Sequence, residues 1–86
     1  MANAKTKSVK ISAYMRMKGF TVGVNSVRKG KAFNPDQYED RSSQWRYEVG
    51  RQFAYVYDGP VKLGNKIHWA AINAMNEALM NREICA

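Results

Sequence analysis

The chain holds only two prolines, Pro35 and Pro60, and each lies in a turn-forming cluster. Because proline removes a backbone donor and clashes with the preceding helical turn, no helix runs through either position, and the apolar pattern is cut into three segments. In the first, Ile11, Tyr14, Met15, Lys18 and Val22 follow the i, i+3, i+4, i+7 spacing of an amphipathic helix and predict one over 9–28. Arg28-Lys29-Gly30-Lys31-Ala32-Phe33-Asn34-Pro35 ends it, with Gly30 available for a left-handed cap. A loop continues to about Asp40, where Asp40, Ser42 or Ser43 supplies a cap, and Trp45, Val49, Phe53 and Val56 form one apolar stripe of a second helix over 41–57. Tyr57-Asp58-Gly59-Pro60 reads as a turn and Gly64-Asn65 as a new N-cap. Ile67, Ala71, Ala74, Met75, Ala78 and Leu79 then recur at helical spacing, predicting a third helix over 65–83. With 86 residues there is room for one domain, so the expectation is an all-α, small three-helix domain with a basic, partly disordered N-terminus, residues 1–8 forming a flexible tail.

Gly19 and Gly23 fall one turn apart on the first helix, which weakens the helix but lets another backbone approach closely, so they predict a packing seam against the second helix. The competing reading of the same stretch is a strand over 20–24, where Thr21, Val22 and Val24 are β-branched.

Charge is distributed unevenly. Fourteen Lys and Arg against seven Asp and Glu give +7 and a pI near 9.8, yet Met1 to Asn34 holds eight basic residues and no acid. Like charges held together repel, so an acid-free stretch of this length calls for an anionic partner, either a nucleic acid or an acidic protein surface. One cysteine, Cys85, makes no internal disulfide, and no apolar run suits a signal peptide or a membrane span, so the expected location is the cytoplasm with no membrane contact.

The inventory for catalysis is thin: one His, one Cys and no evident carboxylate pair. His68 reads as a surface or packing residue, although a hydrolase centred on it is the one enzymatic option the composition leaves open. Cys85 lacks a CxxC partner, and the stretch from Gly59 to Lys66 lacks the GxxxxGK[ST] spacing of a phosphate loop. The first segment shows no second cap or turn cluster of a helix-turn-helix. No enzyme activity, cofactor or metal is expected. What remains is a mixture of cations and aromatics, Arg41, Trp45, Arg46, Tyr47, Arg51 and Phe53, beside the basic first segment. Trp45 and Phe53 lie on the apolar stripe and read as core. The phosphate- and base-contacting residues are then expected to be Lys10, Arg16, Lys18, Arg28, Lys29, Lys31, Arg41, Arg46, Tyr47 and Arg51.

The order of residues from Gly19 to Ala54, about forty percent of the chain, resembles the ribosome modulation factor family. Gly19-Phe20-Thr21-Val22-Gly23 is similar to that family's G-aromatic-x-x-G segment, Phe33-Asn34-Pro35 with Tyr38 to its Pro-Tyr linker, and Arg41-Ser42-Ser43-Gln44-Trp45 to its R-S-Q-W helix start. The resemblance implies two helices joined by a proline-containing linker, contacts with ribosomal RNA, and suppression of translation by dimerising ribosomes. Gly19, Gly23, Pro35, Tyr38, Arg41, Ser42 and Trp45 are the positions that match. The chain departs from the pattern in lacking a second tryptophan shortly after Trp45, in a longer linker, and in an extra helical segment from Asn65 to Arg82. The expected function is therefore a non-enzymatic RNA-binding protein of ribosome-associated type that modulates translation, with ribosomal RNA or the ribosome as partner. The alternative is a small modulator or inhibitor bound to an acidic surface of a nucleic-acid-processing protein complex.

Overall fold

The computed structural model describes residues 10–84, in the order α1 (Ile11–Met15), α2 (Lys18–Arg28), α3 (Arg41–Val56), β1 (Lys62–Leu63), β2 (Lys66–Ile67) and α4 (Trp69–Met80). The protein is mainly helical, as its periodicity requires, but it is not a simple three-helix domain. The expected tail over 1–8, the start of the first predicted helix at Val9, and Cys85 lie outside the described residues.

The predicted first helix is two. Met17 adopts an extended conformation (φ −69°, ψ 146°) and separates a five-residue α1 from α2. The cause is tertiary: α1 packs on α4 and β2, whereas α2 packs along α3, and one straight helix cannot serve both partners. The break lets Met15 and Phe20 both enter the core fully buried. Burial of large apolar groups outweighs the few hydrogen bonds lost at the break. The strand reading of 20–24 is overturned, since all five residues are helical within α2.

α2 and α3 form the centre of the fold, and glycine makes their contact possible. A Cβ built on Gly19 would lie 2.8 Å from the Ser43 carbonyl oxygen, one on Gly23 would overlap the Tyr47 carbonyl, and one on Gly50 of α3 would overlap the Phe20 carbonyl. Contacts advance together along both helices, from Gly19 against Ser43 to Ser26 against Arg51, so the two run in the same direction. The linker must therefore travel back along the pair. It begins at a Schellman cap, in which Gly30 (φ +73°) and Lys31 donate their N–H groups to the carbonyls of Val27 and Ser26. It ends at Asp40, whose Oδ2 accepts the Ser43 N–H at 2.8 Å and caps α3.

The predicted stripe on α3 is displaced. Val49 and Phe53 are buried as expected, but Trp45 (44% exposed) and Val56 at its ends are open, while Tyr47 (1% exposed) is enclosed. The returning linker is the reason: Phe33 stacks on the Tyr47 ring, Tyr38 meets it edge-on, and the Asn34 N–H donates to its hydroxyl at 3.0 Å. Sequence periodicity registers helix packing and is blind to a loop laid over the opposite side.

The third predicted helix starts late. Residues Lys62 to Ile67 form a two-stranded antiparallel hairpin, with Lys62 opposite Ile67 and Leu63 opposite Lys66. Gly64 has φ +64°, and Gly at the first turn position is the signature of a two-residue hairpin loop, so Gly64-Asn65 is a hairpin turn and not an N-cap. The cap is His68, whose Nδ1 accepts the Ala70 N–H at 3.0 Å. α4 then contributes Ala71, Met75 and Ala78 to a core that also holds Met15, Phe20, Val24, Val49, Phe53, Ile67 and Ile84. It closes on a second Schellman cap in which Arg82, at φ 58°, occupies the place glycine usually fills.

Candidate nucleic-acid interface

Of the ten contact residues expected from the sequence, the structure leaves Lys10, Arg16, Lys18, Arg28, Lys29, Lys31 and Arg41 exposed and Arg46 half-buried. Two are withdrawn from the surface. Tyr47 lies beneath the linker and has no face free to stack on a base. Arg51 is 8% exposed and acts as the internal brace of the linker: its Nη1 donates to Ser26 Oγ at 2.6 Å and to the Lys31 carbonyl at 3.0 Å, and its Nη2 to the Tyr55 hydroxyl at 3.4 Å. Its guanidinium also lies over the Phe33 and Tyr47 rings, 5.8 and 6.0 Å from their centroids. A buried cation is tolerated where hydrogen bonds hold it and aromatic faces supply negative potential, and both conditions hold, with three of the five guanidinium N–H groups bonded. Arg28 is exposed but engaged, donating to the Tyr57 and Gly59 carbonyls at 3.2 and 2.7 Å and so fastening the end of α2 to the turn before Pro60.

Of the seven remaining cations, Lys10 and Arg16 stand exposed at the two ends of α1, and the other five fall into three places. Lys18 begins α2, and the neighbouring residue Gly19 touches Arg46, a Cβ there reaching Arg46 Cβ at 3.2 Å. Arg46 also acts on Tyr14: burial pushes the Tyr14 phenol above its usual pKa, and the Arg46 charge opposes part of that rise. α2 has neither a side-chain cap nor an acid in its first turn, so the partial positive charge of its start is added to Lys18 and Arg46, whereas the Asp40 carboxylate that caps α3 offsets that helix start beside Arg41.

The second place is a cleft of about 330 Å³ between the C-terminal half of α2 and the linker, lined by polar Asn25, Ser26, Asn34 and Gln37 and by Lys29 and Lys31, with no carboxylate in its wall. The third is the outer face of α3, where Arg41, Ser42, Gln44, Trp45 and Glu48 border a shallow cleft of about 490 Å³. The expectation that Trp45 belongs to the core is corrected here: its ring stands at this surface, one turn from Arg41. Phe53, by contrast, is fully buried and packs on Phe20 with ring centroids 5.6 Å apart.

Two features of this face escaped the sequence reading. Phe33 (48% exposed) and Tyr55 (70% exposed) flank Arg51 at the C-terminal half of α3. The signal was present in helical spacing, since Trp45, Glu48, Gln52 and Tyr55 recur at i, i+3, i+7 and i+10 and so share one side of α3.

Among the described residues no group of three or more His, Cys, Asp or Glu side chains is placed to hold a metal ion, and no helix is long and apolar enough to cross a membrane. His68 is engaged as a helix cap, with its ring 5.5 Å from that of Trp69. Comparison with protein-family models, with curated proteins and with solved structures gives no match to this chain.

Proposed function

We propose that the protein is a non-enzymatic, basic RNA-binding protein of the ribosome-associated type that modulates translation. The observation that carries this reading is the open Trp45 ring set one turn from Arg41 on the outer face of α3. An exposed tryptophan beside a cation is the pairing that single-stranded nucleic acid rewards: the ring stacks on a base for about 1–3 kcal/mol and the cation neutralises a phosphate. The carboxylate-free Lys29 and Lys31 cleft adds a second place for backbone phosphates. The resemblance to the ribosome modulation factor family supports the ribosomal form of the proposal, because one of the three motifs it rests on, Arg41 to Trp45, lies on this surface.

The test is titration with single-stranded RNA at several salt concentrations. Each neutralised phosphate contributes about −0.7 to the slope of log affinity against log salt. Exchanging Lys29 and Lys31 for Glu weakens binding and flattens the slope without loss of fold, a Gln pair has a smaller effect, and Trp45→Ala lowers affinity while the thermal midpoint stays within a few degrees of the parent. RNA binding that is indifferent to salt and to all three changes refutes the reading.

A protein partner is the second reading, and a different surface favours it. Leu63 at the hairpin tip, Trp69 at the start of α4 and Met80 at its end are all strongly exposed apolar side chains. If partners recovered from a lysate persist after RNase digestion and depend on Leu63 and Trp69, a modulator of a protein complex replaces the RNA reading.

A further inference from the structure

The C-terminal half of the α3 face carries a pocket with a defined recognition chemistry. Phe33, Glu48, Arg51, Gln52 and Tyr55 border a shallow, open cleft of about 310 Å³, at the small end of the range for ligand sites, which runs from ~300 to 1,000 Å³. Phe33 and Tyr55 present aromatic surface to it, and Phe33 is held in place by its stack on buried Tyr47, the rings 6.0 Å apart and within 18° of parallel. A carboxylate, Glu48, and a guanidinium, Arg51, line it beside the two aromatics.

Both charged groups are oriented before any ligand arrives. Gln44 Oε1 accepts the Tyr38 N–H at 2.9 Å and its Nε2 donates to the Asn34 carbonyl at 3.0 Å, so the amide has one orientation, and its Nε2 also donates to Glu48 Oε2 at 3.2 Å. The linker thus positions Glu48 through Gln44. Arg51 is braced from the other side by Ser26, the Lys31 carbonyl and Tyr55. A guanidinium carries five N–H donors and these bonds use three, so Arg51 retains donor capacity at the cleft.

We propose that this cleft is a single-base pocket that reads the Watson–Crick edge of an unpaired guanine, an inference that rests on the RNA-binding reading and names the base it selects. Guanine offers an acceptor, O6, beside two donors, N1–H and N2–H. That order complements a cation next to a carboxylate: Arg51 donates to O6, and Glu48 accepts from N1–H and N2–H in a charge-assisted bidentate pair. Uracil places one donor, N3–H, beside an acceptor where guanine places two donors, and adenine and cytosine place no N–H there at all, only acceptors or a C–H, so each leaves at least one carboxylate oxygen without a partner. Stacking between Phe33 and Tyr55 holds the base in plane, the usual arrangement where proteins read unpaired RNA. Glu48 also repels phosphate, which directs the backbone toward Arg41 on one side and Lys31 on the other.

The experiment measures binding of fluorescein-labelled heptauridine and of heptamers with a central guanosine, inosine, adenosine or cytidine, by anisotropy at low salt. The full chain is expected to bind the guanosine heptamer roughly tenfold or more above the adenosine one, the discrimination typical of one bidentate base contact. Inosine, which lacks the N2 amine, falls between them. Glu48→Gln brings the ratio of guanosine to adenosine affinity close to one, and Tyr55→Ala weakens the guanosine heptamer more than heptauridine. Circular dichroism of both variants verifies that the helices are retained. Equal affinity for all five heptamers, or a guanosine preference that survives Glu48→Gln, overturns the pocket and leaves the RNA-binding reading standing. Absence of binding to any heptamer overturns both.

Discussion

Replacing Gly23 with Ala tests the helix pair on which every surface described above is built. The added Cβ overlaps the Tyr47 carbonyl oxygen and lies 2.9 Å from its carbon and 3.0 Å from the Arg51 nitrogen. All three atoms are backbone, so no rotamer change relieves the clash, and α2 must move away from α3. The movement would also loosen the Gly50 contact with the Phe20 backbone and the linker fastened over Tyr47 and Arg51. Overpacking of a close-packed interior costs about 1–3 kcal/mol and sometimes more, while Ala in place of Gly returns about 1 kcal/mol of helix propensity. With three backbone contacts at once the upper end applies, leaving a net loss of about 2 kcal/mol. A domain of this size has a total stability of roughly 4–13 kcal/mol and loses about 4–8 °C of midpoint per kcal/mol, so the midpoint falls by about 8–16 °C. Thermal unfolding followed at 222 nm reads the shift. Gly30→Ala is the control, since a Cβ there meets nothing within 4 Å and only the left-handed backbone (φ +73°) is strained. A Gly23→Ala variant as stable as the parent, or more so, would show that propensity governs and that the seam is not close-packed.

Tyr14→Phe removes the one buried hydroxyl among the described residues that lacks a hydrogen-bond partner while keeping the ring against Phe20, and should raise stability by about 1 kcal/mol in urea titration. Arg82→Gly relieves a left-handed residue at the cap of α4, and a gain of up to about 1 kcal/mol is expected by the same measurement once the greater freedom of glycine in the unfolded chain is deducted. Hydrogen bonds from Ser43 hold the Asp40 carboxyl below its ordinary pKa, so its contribution is present at neutral pH and is lost as pH falls through that depressed value. Asp40→Asn, which keeps a cap, should therefore show a shallower loss of thermal midpoint between pH 5 and pH 2 than the parent, on the order of the acid range where carboxylates titrate.

Legibility in the sequence followed the reach of each signal. Period and punctuation are local, and they placed α3 within a residue, the Gly30 cap, and the Gly19 and Gly23 seam. The break at Met17 has no local marker, because it arises from α1 and α2 meeting different partners in space. The Gly64-Asn65 hairpin carried a recognised turn signal that also fits a helix cap, and only the pairing of Lys62 with Ile67 separates the two. The site suffered most from the linker. Its return along the helix pair buried Tyr47 and Arg51, two residues whose type favours a surface role, and left Trp45, whose type favours the core, outside. Net charge set only the expected class of partner; the chain's own path decided which aromatics and cations stay at the surface.

The placement of the two tryptophans has an optical consequence. Trp45 and Trp69 are both open to water in the folded protein, so their emission already resembles that of an unfolded chain, and denaturation would shift it little. Intrinsic fluorescence is therefore a poor gauge of folding here and a good gauge of occupancy. A base laid on the α3 face would quench Trp45, while Trp69 at the start of α4 would keep emitting as an internal reference, and a Trp69→Phe form would report that face alone without any attached dye.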